Sequence, residues 1–397
     1  MRALFVVSLG LVVYTYIGYP LVLWALTRVR SRDVRKGQAP PSVSIIIAAR
    51  NEADKIRRKI EHSLALEYPK ERLEVLVASD ASDDGTDDIV NEYVGRGVRL
   101  VRAPQRKGKE HAQSLALAAA AGDIVVFTDA ATLLEPHALR LLVENFADPT
   151  IGAVSTEDCL VDAAGNPTGE GLYVRYEMWV RRLESRFHSL VGLSGSCFAI
   201  RKALCSYWPS TLASDFMSAL HAARGGYRSV TAPSARGRFV AVGSAQAEMR
   251  RKTRTFLRGI AVLMANLDLL NPLRHGRFAF QLASHKLLRF TAPLLLVVAL
   301  VASGLVTTLA ALGLWPGDTM LQGLFWAQVA FYALGVIGGA VPALQRNPLL
   351  RVVHFFTMVQ CAMLVAWCRY ALGHQQTTWE PSKRHEAAPA APPAPLA

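Results

Sequence analysis

Two short apolar runs, about thirty residues apart, constrain this chain more than any other feature. Val43-Ser44-Ile45-Ile46-Ile47-Ala48-Ala49 ends on Arg50-Asn51-Glu52. Glu74-Val75-Leu76-Val77-Ala78 ends on Ser79-Asp80-Ala81-Ser82-Asp83-Asp84-Gly85-Thr86. Runs of this length, bounded by turn formers and rich in β-branched residues, suit strands buried on both faces. Each delivers polar and acidic residues at its carboxyl end, which is how an open α/β sheet builds a nucleotide crevice. Helices are expected over 53–65, 110–121 and 136–146, with strands over 98–102, 124–128 and 151–155 between them. The alternation from Val43 to about Pro233 predicts an α/β domain whose mostly parallel sheet is covered on both faces.

The ends of the chain have a different character. Of the 397 residues 51% are hydrophobic, and mean hydropathy is +0.22. The excess lies outside the alternating region. Ala3 to Leu26 is apolar for long enough to cross a bilayer about 30 Å thick, and Arg28, Arg30, Arg32, Arg35 and Lys36 follow it. A cleavable signal peptide has a shorter apolar core and a small-residue cleavage site. The basic cluster marks the following side as cytoplasmic and the N-terminus as external. Further spans are expected over 291–315, 321–344 and 352–373. The uncharged-to-acidic loop Pro316-Gly317-Asp318 suits the outside, and Arg346 and Arg351 suit the inside. Strict alternation then puts the tail outside, against the preference of Arg369, Lys383 and Arg384.

The expected organisation is a transmembrane helix over 1–27, a basic linker over 28–42 and a cytoplasmic domain over 43–235. Basic amphipathic helices at the membrane surface follow over 236–290, then about three transmembrane helices over 291–373 and a partly disordered tail over 374–397. The net charge of +13 could suit nucleic acid. Its basic residues flank apolar segments without interleaved aromatics, however, so anionic lipid headgroups and phosphorylated substrates are the expected partners and nucleic acid is not. Cys159, Cys197, Cys205, Cys361 and Cys368 form neither a CxxC pair nor a Cys/His cluster. They read as buried free thiols in a reducing compartment.

Four places can carry chemistry. Asp129 follows the apolar strand 124–127. It can hold a divalent ion against a diphosphate, or it can cap a helix together with Thr128 and Thr132. Arg106-Lys107-Gly108-Lys109 precedes an Ala-rich helix, which suits a diphosphate and equally a solvated loop. Asp215, in Ser214-Asp215-Phe216, reads as a general base or as an N-cap of a helix over 217–223. Gly169-Glu170-Gly171, followed by Tyr173, Tyr176, Glu177, Trp179 and Glu184, reads as an acceptor-binding face or as a packed stripe.

Taken in order, Arg50-Asn51-Glu52, Ser79-Asp80 with Asp84-Gly85-Thr86, Lys107-Gly108-Lys109, Phe127 to Thr132, Gly195 to Arg201 and Ser214-Asp215-Phe216 resemble the motifs of family 2 glycosyltransferases. The resemblance covers roughly residues 40–385 and points to the membrane-bound bacterial members, polysaccharide synthases among them. It implies a glycosyltransferase A-type fold, a nucleotide-sugar donor (commonly a UDP-sugar) and an inverting displacement at the cytoplasmic face of the bacterial inner membrane. It places Asn51, Glu52, Asp80 and Lys109 at the nucleotide. Asp129 matches the first aspartate of the metal-binding DxD, with Mg²⁺ or Mn²⁺ as the implied cofactor, and Asp215 matches the catalytic base. Two positions depart from the pattern. Ala131 stands where the second DxD aspartate is usual, and the QxxRW acceptor motif is not intact near Glu248 to Arg254, where Arg251 is the acceptor-side candidate. Trp379 to Arg384 resembles a C-terminal segment of related membrane enzymes. Three activities follow in order of expectation. They are extension of a cell-surface glycan, transfer of one sugar to a polyprenyl phosphate or other lipid, and a non-catalytic nucleotide-sugar-binding subunit. A nucleotidyltransferase is remoter, since it would not need several spans.

Overall fold

An apolar helix opens the chain: α1 (Arg2–Val13) passes through a π turn at Tyr14–Gly18 into α2 (Tyr19–Val29). The alternating region follows, with β1 (Val43–Ala49), α3 (Ala53–Leu64), β2 (Leu73–Ser79), α4 (Thr86–Asn91), β3 (Val98–Arg102) and α5 (Lys109–Ala119). It continues with β4 (Ile124–Asp129), β5 (Leu133–Leu134), α6 (Ala138–Val143), β6 (Ile151–Val161), α7 (Gly171–Phe187), β7 (Cys197–Arg201), α8 (Ser214–Arg224) and β8 (Arg228–Val240). Helices α9 (Ala245–Met264), α10 (Pro272–Gln281), α11 (Leu288–Ala311), α12 (Thr319–Ala340) and α13 (Pro348–Ala371) complete it. This computed structural model describes residues 1–161, 171–240 and 245–374. The segment Trp379 to Arg384, the tail over 374–397 beyond its first residue, and Gly169 and Glu170 lie outside the described residues.

The chain divides into two compact units, one of them Arg30–Glu248 and the other Met1–Val29 with the described residues from Met249 onward. The first unit holds an eight-stranded sheet in the order β3-β2-β1-β4-β7-β6-β8-β5. Strands β3, β2, β1 and β4 run parallel, with β1 aligned to β2 from Val43↔Leu73 to Ala49↔Ser79 and to β4 from Val43↔Ile124 to Ala48↔Asp129. The strand order reverses at β1, so a crevice opens beyond the carboxyl ends of β1, β2 and β4. Strand β7 is antiparallel to β4, pairing Thr128↔Cys197 and Phe127↔Phe198. Its start, and the turn before it, therefore lie beside the tip of β4.

Both faces of the sheet are covered, as the unbroken apolar runs require. Ile45, Ile47, Val75, Val77 and Val126 pack with Ile56 and Ile60 of α3 and with Leu139 and Leu142 of α6. On the other face Ile46, Leu76, Val125 and Phe127 pack with Ala112 and Ala116 of α5 and Ala219 and Ala222 of α8. The small residues let these helices approach closely. Each buried Ile, Val, Leu or Phe contributes about 1.5–3 kcal/mol by leaving water. Gly122, in the turn into β4, presses on β1: a Cβ there would stand 2.6 Å from the Ser44 nitrogen.

Among the described residues of the helical unit, four helices are long and apolar enough to cross a membrane: Arg2–Val29, Pro272–Ala311, Thr319–Ala340 and Pro348–Ala371. The last three begin earlier than the apolar runs alone suggest, because polar residues start them. Asn271, Asp318 and Asn347 cap α10, α12 and α13 by accepting from Leu273, Leu321 and Leu349 N–H groups. Arg2 pairs with Asp318 at 2.7 Å, which puts the N-terminus and the 312–318 loop at the same end of this unit. The basic stretch expected as helices over 236–290 is divided differently. Arg236 and Arg238 lie in β8, which outlasts the expected boundary at 235, while Lys286 and Arg289 lie inside the Pro272–Ala311 helix. All five cysteines are free; Cys197 and Cys205 are buried as expected, but Cys361 and Cys368 are exposed on α13.

Candidate active site

The carboxyl ends of β1 and β2 are tied into one surface. Asn51 adopts a positive φ of 51°, and its side chain exchanges two hydrogen bonds with Asp83. The Asn51 amide donates to Asp83 Oδ1 at 2.7 Å, and the Asp83 N–H donates to Asn51 Oδ1 at 3.1 Å. Arg50 donates to Asp83 Oδ2 at 3.0 Å and to the Ala81 carbonyl. The Asn51 amide, then Arg50, hold the Asp83 carboxyl below the usual carboxylate range. Asp84 accepts from Ala53 and Thr86 N–H groups, and Thr86 Oγ1 accepts from Glu52 N–H at 2.9 Å. Glu52 is 3% exposed. Burial raises its carboxyl, and Lys55 at 3.2 Å opposes the rise.

Asp80, 1% exposed, points to the third parallel connection. Its Oδ1 accepts from the N–H groups of Lys107 at 2.9 Å and Gly108 at 3.0 Å. Gly108 sits at φ 103°, a conformation that favours glycine, and that turn aims Lys109 inward at the start of α5. Asp80 thus positions the basic loop.

Lys109 Nζ lies 2.5 Å from Asp129 Oδ1 and 3.4 Å from the Gly195 carbonyl. Burial alone would lower the Lys109 pKa, but the Asp129 charge, with Glu110 and Asp215, leaves it raised. Asp129 ends β4 and caps no helix; its N–H donates to the Ser196 carbonyl at 3.1 Å. Beneath the Thr128–Thr132 loop lies Lys59, 1% exposed, donating to Thr128 Oγ1 at 3.0 Å and to the Thr132 carbonyl.

Asp215 lies within the first turn of α8, whose cap is Ala213, and so it is not the cap either. A Cβ on Gly195 would stand 3.0 Å from Asp215 Oδ2, so glycine keeps this turn clear of the carboxylate. The Ser194–Ser196 turn therefore touches Lys109, Asp129 and Asp215 together, the first two through its carbonyls. It also carries a residue that sequence reasoning passed over. Asp158, near the end of β6, accepts from Ser194 Oγ at 2.5 Å and Ser196 Oγ at 2.7 Å, both on Oδ1. The only sequence signal was an acid beyond an apolar run, a weak one.

The acceptor candidates fall into two places. Tyr173 and Glu177 are half-buried one turn apart on α7, and Trp179 is 38% exposed with its ring 6.3 Å from that of Tyr176. Arg182 on the same helix pairs with Glu157, next to Asp158, at 3.1 Å. Arg251 stands on α9, in the helical unit. A hollow of about 1210 Å³ opens at the amino ends of β1 and β4 and is lined in part by Asp123, Arg201, Lys202 and Trp208. It lies away from this chemistry. Arg201 is engaged there by the Phe146, Asp148 and Ile151 carbonyls, and Lys202 by that of Ala120.

For a divalent ion the Thr128–Thr132 loop offers Asp129 and, at the next expected position, the methyl of Ala131. Among the described residues no three His, Cys, Asp or Glu side chains converge as a metal site. The one carboxylate is already ion-paired. This donor set falls one carboxylate short of the DxD pattern, and the carboxylate it keeps is shared with Lys109.

Residues 44–207 match the model of glycosyl transferase family 2. The chain is 30% identical over 173 residues to the probable glycosyltransferase YdaM of Bacillus subtilis, covering 41% of each protein. It is 33% identical over 130 residues to the beta-monoglucosyldiacylglycerol synthase of Synechocystis, covering 32% of this chain and 27% of that protein. A poly-beta-1,6-N-acetyl-D-glucosamine synthase of Staphylococcus aureus is 29% identical over 120 residues, 28% of this chain and 27% of that one. The chain thus spans about two fifths or less of these curated relatives. The fold matches that of the mannosyltransferase PcManGT from Pyrobaculum calidifontis, solved with GDP-Man and Mn²⁺. The TM-score is 0.69 at 24% identity, over 94% of this chain and all of the other.

Proposed function

We propose that this chain, whose residues 44–207 match the glycosyl transferase family 2 model, moves a sugar from a nucleotide-sugar to an acceptor hydroxyl. The product is a cell-surface glycan made at the inner face of the cytoplasmic membrane. The observation carrying this reading is the convergence of Lys109, Asp129 and Asp215 on the Ser194–Ser196 turn, at the crevice beyond β1 and β4. In the proposed reaction the acceptor oxygen attacks the anomeric carbon from the face opposite the diphosphate. The carbon–oxygen bond to the diphosphate breaks, its electron pair leaves with the nucleoside diphosphate, and Asp215 takes the acceptor proton. Asn51, Glu52 and Asp80 line the nucleotide side, with Asp80 acting through the loop it holds. Tyr173, Glu177, Trp179 and Arg251 are assigned to the acceptor. A membrane-embedded acceptor suits the four apolar helices.

A second reading, transfer of one sugar to a lipid, draws support from the likeness to a glycolipid synthase and from the departure at the QxxRW motif. Product length separates the two, since a polymer supports the first and a single-sugar lipid the second.

The test is release of free nucleoside diphosphate by the purified protein in lipid, given a panel of nucleotide-sugars. One donor should be turned over, and Asp215→Asn should cut the rate about 100- to 10,000-fold while donor binding persists. Binding without release, with every donor and in the presence of acceptor lipid, would move the assignment to a non-catalytic subunit.

A further inference from the structure

The missing second carboxylate and the engaged first one leave Asp129 with a different partner. Asp129 is not vacant for a metal: Lys109 Nζ occupies Oδ1 at 2.5 Å and is held a second time by the Gly195 carbonyl at 3.4 Å. The lysine side chain is only 13% exposed. Ala131 removes the second carboxylate that would hold an ion against this competitor. Lys59 adds a second amine on the inner side of the same loop, with its nitrogen on Thr128 Oγ1 and the Thr132 carbonyl. A divalent ion on Asp129 would have to expel one amine and remain beside another.

We infer that Lys109 is the cation of the donor site, its ammonium neutralising the diphosphate of the nucleotide-sugar in place of a divalent metal ion. The inference rests on the transferase reading above. When donor binds, the ammonium passes from Asp129 to the phosphate oxygens and stays protonated. It stabilises the charge that collects there as the bond to the anomeric carbon breaks. Asp129 then serves to park and aim the lysine, and Lys59 holds the loop that carries Asp129.

Two measurements on the full-length protein in lipid test this. The first is nucleoside diphosphate release in excess EDTA, Mg²⁺ or Mn²⁺. The second is binding of the nucleoside diphosphate in EDTA or Mn²⁺, with free Mn²⁺ followed by electron paramagnetic resonance. Release and binding should be the same within about twofold with and without metal, and Lys109→Met should lose about 100-fold in release. Lys109→Arg should retain more than Lys109→Met. Release abolished by EDTA and restored by Mn²⁺ would overturn the inference, as would Mn²⁺ binding that Asp129→Asn removes. These readings of the unaltered protein decide the matter even if Lys109→Met does not fold. Absence of release under every condition would count against the transferase reading alone, because metal-dependent or metal-independent nucleotide binding still decides the role of Lys109.

Discussion

Asp158 illustrates how much a single carboxylate's surroundings decide. Ser194 and Ser196 both donate to its Oδ1, fixing the side chain and, among the described residues, leaving the other oxygen to accept from a ligand. A carboxylate held in this way, against the turn that also meets Asp129 and Asp215, is suited to read a hydroxyl of the transferred sugar. Asp158→Ala should lower kcat/KM for the preferred donor about 10- to 100-fold, the usual worth of a hydrogen bond to a charged group. Against a donor lacking the recognised hydroxyl the variant and the parent should be equal, and unequal losses across all deoxy donors would refute the assignment. Lys59 makes a different kind of prediction. Burial pushes its pKa down to about 8 from 10.5. Between those values the unfolded chain holds a proton that the folded chain has lost, so stability rises with pH. Above 9.0 the buried thiols of Cys197 and Cys205, pushed up to about 12, act in the opposite direction. The clean window is therefore between about pH 8 and 9. There the parent should gain about 1 kcal/mol relative to Lys59→Met in chemical denaturation. A difference that does not change with pH would show that Lys59 is not titrating there.

At the level of elements, the site depends on three strand ends arriving level. Strand β4 reaches its register against β1 through a turn with no room for a side chain. Gly122 donates its N–H to Ser44 Oγ at 2.8 Å, and Asp123 accepts from Ser42 Oγ at 2.5 Å. Gly122→Ala would place a methyl 2.6 Å from the Ser44 nitrogen and 2.7 Å from the Val43 carbonyl carbon. Backbone atoms cannot swing aside, so the variant should lose about 1–3 kcal/mol of stability. It should also lose activity, because Asp129 sits at the far end of the displaced strand. An unchanged melting temperature would mean that β1 and β4 tolerate sliding, contrary to the register seen here.

The whole molecule carries a prediction about sidedness. Alternation of four spans puts the N-terminus and the 312–318 loop on one side of the membrane and residues 341–347 on the other. The pairing of Arg2 with Asp318 agrees with the first part. An exposed pair of this kind is worth only about 0–1 kcal/mol, so it reports position more than it stabilises. In a cysteine-free background, cysteine at position 318 should react with an impermeant thiol reagent added outside intact cells, and cysteine at position 347 should not. Labelling of both from outside would break the four-span topology.

Much of this could be read along the chain because local patterns record burial. Unbroken β-branched runs identified the parallel strands, their acidic ends marked the crevice, and the apolar lengths marked four candidate spans. The ordered motifs named Asp129, Lys109 and Asp215 before any geometry existed. What the linear chain could not express was partnership across distance. That β7 runs antiparallel, bringing the Ser194–Ser196 turn to the tip of β4, depends on strand pairing between segments about seventy residues apart. Lys59 reads as one more charge on an amphipathic helix, and only the packing of α3 against the sheet puts its amine under the Thr128–Thr132 loop. The ion pair between Lys109 and Asp129 likewise exists because two separate connections end at one sheet edge. Hydrophobic periodicity is a property of neighbours in sequence, whereas the charge state and reach of a site belong to neighbours in space.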